Sequence, residues 1–83
     1  MLSPGNVLFV GRAASVQFAE DRALNLRLIR VDPVSTYDGW IWLEGYVLSP
    51  AGEAVERRRI FVQVAGLRLV ARAGSPAPPR LPR

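Results

Sequence analysis

The sequence predicts an all-β domain: a small twisted β-barrel of four to five strands, followed by a Pro-rich C-terminal tail without regular structure. Three observations carry that prediction. Apolar and polar residues alternate with a period of two through most of residues 7–70, the spacing of strands with one buried face. The turn-forming segment Ser49-Pro50-Ala51-Gly52-Glu53-Ala54 separates two apolar runs whose residues match chemically when folded back on each other. No window of ten or more residues shows a helical period, so a sheet carrying one helix has no support.

The elements follow in order. Residues 1–6 are a turn-rich lead-in. Val7, Phe9 and Gly11 alternate with Leu8 and Val10 in an apolar first strand. Val16 and Phe18 flank Gln17 ahead of a turn at Glu20-Asp21-Arg22, and Ala19–Ala23 is compatible with a short helical turn. Leu24, Leu26 and Leu28 alternate with Asn25 and Arg27, after which Ile29 and Val31 carry the apolar side around Arg30. That one-residue slip of phase predicts a β-bulge, a device that curves a sheet toward closure. Pro33 ends the strand, and Ser35–Gly39 forms a loop. Residues 1–70 make the domain. Residues 71–83 make the tail, where Pro76, Pro78, Pro79 and Pro82 deny the backbone donors that a sheet requires.

Trp40–Val64 is the most informative stretch. A hairpin centred on Ala51-Gly52 sets Leu43 opposite Ile60 and Ile41 opposite Val62, on an aliphatic core face that also holds Val47 and Val64. The other face sets Trp42 opposite Phe61, Glu44 opposite Arg59, Tyr46 opposite Arg57 and Trp40 opposite Gln63. A shift of one residue would destroy every one of these pairs. Trp40, Trp42, Tyr46 and Phe61 thus form an aromatic stripe flanked by Arg57 and Arg59. Such plates stack unpaired bases, cradle extended peptides or form a subunit interface. The alternative is that the stripe covers a second layer of the barrel, with Glu44 and Arg59 as a cross-strand pair worth little. In Arg57-Arg58-Arg59 the middle residue points to the opposite face, so the run is not a three-charge patch.

Composition argues against catalysis. The 83 residues include no cysteine and no histidine, which removes disulfides, thiolate metal sites, cysteine nucleophiles and the usual neutral-pH base. The adjacent carboxylates Glu20 and Asp21 read as a solvated turn rather than a magnesium site. Gly45 and Gly66 lack phosphate-loop spacing. No cofactor or metal is expected. The net charge of +4 is unevenly placed. Residues 1–67 hold seven arginines and all seven carboxylates, and the excess lies in Arg68, Arg72, Arg80 and Arg83. The domain is therefore neutral and its tail basic, which is weak evidence for a nucleic-acid face. All basic residues are arginine, as a GC-rich coding sequence would produce. The N-terminal residues lack the basic n-region of a secretory signal, and no apolar run is long enough to span a membrane. The expected location is the cytoplasm.

Gly39-Trp40-Ile41-Trp42-Leu43-Glu44-Gly45-Tyr46, followed by Arg59-Ile60-Phe61 and preceded by Arg30-Val31-Asp32-Pro33, resembles the WYL domains. These are Sm-like small β-barrels that serve as ligand-sensing or nucleic-acid-sensing modules in bacterial transcription regulators. Ile41 and Trp42 stand where that family has Trp and Tyr, and Val62 and Gln63 stand where it continues with an arginine and an apolar groove residue. The resemblance covers about half the chain. It implies an Sm-like barrel acting as a regulatory domain that senses a nucleic acid or small effector. The binding residues implied by stripe and resemblance together are Trp40, Trp42, Tyr46, Arg57, Arg59 and Phe61. The alternative expectation is a protein-interaction or homo-oligomerisation module using the same face. On either reading the protein is not an enzyme.

Overall fold

The computed structural model describes residues 2–33 and 37–72. The tail expected to lack regular structure lies outside the described residues from residue 73 onward, as does part of the loop expected at Ser35–Gly39. Five antiparallel strands form one sheet: β1 (Val7–Val10), β2 (Leu24–Val31), β3 (Trp40–Leu48), β4 (Ala54–Gln63) and β5 (Arg68–Ala71). Their order in the sheet is β4-β3-β2-β1-β5. The all-β expectation holds. Helical geometry among the described residues is confined to three-residue 3-10 turns at Val16–Phe18, Glu20–Arg22 and Val64–Gly66, the second of them within the segment compatible with a helical turn.

The hairpin register agrees with the one read from the side-chain pairs. Trp42 lies opposite Phe61, Leu43 opposite Ile60 and Ile41 opposite Val62, and the ladder runs without a break from Trp40 to Val47. At the turn it shifts, so that Leu48 meets Ala54 and Val55 is bulged outward, 62% exposed. The phase slip in β2 is a bulge as well. Leu28 pairs with Gly45 and Arg30 with Glu44, leaving Ile29 as the extra residue. Without it Arg30 would fall opposite Leu43 and face the core. The bulge thus places a charged side chain on the solvent side, and the same irregularity bends the strand.

The sheet is open between β4 and β5, since no ladder among the described residues joins them; closure into a barrel is not observed. It is nonetheless curled. Five flat strands would hold the two edges about 19 Å apart at the usual strand spacing. The link from β4 to β5 is only Val64–Leu67, and its 3-10 turn advances about 2 Å per residue. Only a sheet bent round on itself lets so short a link reach. Inside the curl Leu8, Val10, Leu26, Leu28, Leu43, Ile60 and Val62 are buried, and full burial of each such side chain contributes about 2 kcal/mol. The β1–β2 connection closes the core with Ala14 and Phe18, both fully or nearly fully buried. Val64, expected on the aliphatic face, instead lies in the turn after β4 and is exposed. The strand ends one residue earlier, where the Gln63 amide donates to the carbonyl of Ala14 (2.8 Å).

Candidate functional site

The alternation of β3 and β4 sends every second side chain to the convex side of the curled sheet. Trp40, Trp42, Glu44 and Tyr46 of β3 lie there beside Arg57, Arg59, Phe61 and Gln63 of β4. Phe61 is the centre of the aromatic group. Its ring stacks on Trp40 at 5.2 Å and 26°, tilts against Trp42 at 5.0 Å and 38°, and meets the edge of Tyr37 at 6.5 Å. These separations are those of favourable aromatic pairs. Trp40, Trp42 and Phe61 are half-buried, whereas Tyr46 is exposed. Tyr46 stands apart from the ring cluster, separated from Trp42 by Glu44 on the same face.

The charged side chains form a second layer around the rings. The Arg59 guanidinium lies 4.2 Å from the Trp42 ring centroid, a cation–π contact worth about 1 kcal/mol. The same guanidinium donates through Nε and Nη2 to one Asp32 oxygen at 3.1 and 2.6 Å. Glu44 accepts from Arg30 Nε at 2.9 Å on one oxygen and from Arg57 Nε at 2.7 Å on the other. Backbone pairing had suggested a Glu44–Arg59 side-chain pair. The structure corrects this: Arg30, directly opposite on β2, and Arg57, reaching diagonally from its place opposite Tyr46, take the Glu44 carboxylate, and Arg59 turns to Asp32. Hydrogen bonds from Arg30 first and Arg57 second hold the Glu44 carboxyl below its usual value, and the bond to Glu44 raises Arg30 in turn. Arg27, opposite Tyr46, is exposed and joins no ion pair among the described residues.

Arg58 points to the other face, as the alternation requires. Its guanidinium covers the Phe18 ring at 5.7 Å and approaches Glu56 at 3.9 Å. Arg30, Asp32 and Tyr37 were not among the residues singled out for the site, yet each joins it. The bulge at Ile29 was the available signal for the first two, because it carries the alternation of β2 over to the convex side. Two clefts form elsewhere. One, of about 340 Å³, lies at the hairpin end between Phe9, Leu24, Val47 and Pro50; the other, of about 310 Å³, is lined by Leu2, Leu8, Val64, Leu67 and Leu69. Neither is lined by a stripe residue or by a titratable side chain. Among the described residues no group of three or more carboxylates is placed to hold a metal ion, and no helix is long and apolar enough to cross a membrane. No protein-family model, curated protein or solved structure matches the chain significantly.

Proposed function

We propose that the protein is a non-enzymatic binding module that works through the convex face of β3 and β4, and that this face is a protein-interaction or homo-oligomerisation surface. One observation carries the reading. A ladder of three large rings (Trp40, Phe61 and Trp42) remains only half-buried, while the arginines beside it are already committed to Glu44 and Asp32. A phosphate would have to compete with those carboxylates. An apolar partner surface would not, and covering the rings would remove their remaining contact with water.

A second reading is a bacterial regulatory domain of WYL-like, Sm-type barrel fold that senses a nucleic acid or small anionic effector through Trp40, Trp42, Tyr46, Arg57, Arg59 and Phe61. It is supported by the short motifs Arg30–Pro33, Leu43–Tyr46 and Arg59–Phe61, which fall on neighbouring strands, by the curl of the sheet, and by the exposed guanidinium of Arg27, which joins no ion pair among the described residues. Sedimentation of the full chain separates the two. If the face joins copies, the protein is an oligomer, most simply a two-fold dimer, and Trp42→Glu reduces it to a monomer. A wild-type monomer that binds single-stranded nucleic acid, with a salt dependence that weakens in Arg57→Ala and Arg59→Ala, would favour the second reading.

A further inference from the structure

We propose that the convex face binds a second copy of this chain about a two-fold axis at Trp42, and that Arg27 of each copy meets Asp38 of the other and so sets the register. The inference rests on the reading of that face as an interaction surface, and names its partner and its pairing. It starts from the charges. Arg30 and Arg57 are held by Glu44, and Arg59 by Asp32. At the two ends of the face, the exposed Arg27 and the exposed Asp38 join no ion pair among the described residues. One is a cation and the other an anion.

Their places decide what they can meet. Arg27 lies on β2 opposite Tyr46, four residues beyond Trp42 along β3. Asp38 lies four residues before Trp42, in a turn where the Trp40 amide donates to the Tyr37 carbonyl (3.0 Å). The Tyr37 ring meets Phe61, so this turn borders the aromatic side of the sheet. Four residues of strand span about 13 Å, and somewhat less where the chain turns. The two charges are thus about 25 Å apart, too far to pair within one molecule, and nearly equidistant from Trp42.

A two-fold axis at Trp42, lying between two such faces and across their strands, runs β3 antiparallel to its copy. Each Arg27 then comes over the other copy's Asp38 turn. The strand carrying Arg27 is one spacing, about 4.8 Å, from β3, an offset that the long arginine stem covers. The sheet curls from edge to edge, so its convex face is narrow across the strands and long along them, as this contact requires. The same operation lays Trp42 and Phe61 on their counterparts. It sets Tyr46, which stands apart from the ring cluster, against the second copy's turn. Ring burial supplies the affinity, and the charge pair, made twice by symmetry, fixes the register. The face carries its own complement.

Sedimentation of the full chain at low salt tests the pairing. Asp38→Arg and Arg27→Asp should each weaken self-association on the order of tenfold, since either change puts two like-charge contacts into the dimer. Both side chains are exposed, so neither change disturbs the core. An equimolar mixture of the two variants should recover wild-type association, because the mixed dimer pairs opposite charges at both ends. Weakening without recovery on mixing would overturn the proposal, since the two residues then do not meet. If neither charge variant alters self-association but Trp42→Glu abolishes it, the pairing fails and the interaction face stands. A wild-type chain that stays monomeric overturns both.

Discussion

At the scale of single residues, two glycines show how differently the same side-chain deletion is used. Gly45 is buried in β3 opposite Leu28 and Arg58, and a Cβ there would lie 2.5 Å from the Arg27 carbonyl oxygen and 2.7 Å from Leu26 Cγ. Gly52 sits in the hairpin turn at φ 86° with open space around it. Gly45→Ala should therefore cost about 2–3 kcal/mol through steric displacement, and Gly52→Ala about 1 kcal/mol through backbone conformation alone. Urea unfolding of both variants checks the order. Glu44 makes a pH-dependent prediction. Its carboxyl is held below the usual 4.5 by Arg30 and Arg57, so its contribution is complete above that value and disappears as pH falls through the lower folded value. The stability difference between wild type and Glu44→Gln should be constant at neutral pH and close toward zero in acid. A difference that grows on acidification would refute the assignment.

At the scale of elements, the central strands and the edges differ in how much holds them. β2 and β3 are each paired on both sides, and Leu26, Leu28 and Leu43 within them are buried to 2% exposure or less. β5 is four residues long, pairs among the described residues with β1 alone, and has a register shift at Val7/Leu8. Leu69 and Val70 are exposed, so little apolar burial opposes its opening. Amides of β5 should exchange with solvent on the order of 100-fold faster than those of Leu26 and Leu43. Equal protection would mean that something beyond the described residues packs on this edge. The other edge, β4, carries Glu56, Arg57, Arg58 and Arg59 in its exposed half, charges that discourage edge-to-edge pairing.

At the scale of the whole molecule, the joint between the β4–β5 turn and the β1–β2 connection holds the curl. Gly66 packs so closely on the Ala13 and Ala14 backbone that any Cβ would overlap it, and the Gln63 amide is anchored on Ala14 beside it. Gly66→Ala should push the two segments apart and cost more than Gly52→Ala, about 2–3 kcal/mol. The same urea titration measures it. Loss of stability without a change of fold is the expected result, because the ladders from β1 to β4 do not pass through this joint.

The hairpin register, the bulge in β2 and the aromatic face were legible in the sequence because each is written in neighbours along the chain. A period of two assigns faces, a turn fixes which residues meet, and a phase slip marks the extra residue. The site's electrostatics were only half legible. Register sets both Arg30 and Arg59 opposite Glu44, but the choice of Asp32 for Arg59, and the diagonal contact of Arg57 with Glu44, depend on how far a guanidinium reaches across a bent sheet. The exposure of Val64 and the seating of Phe18 beneath Arg58 were likewise settled in three dimensions. They depend on where a short turn brings the two sheet edges together, and no local pattern of apolar residues encodes that distance.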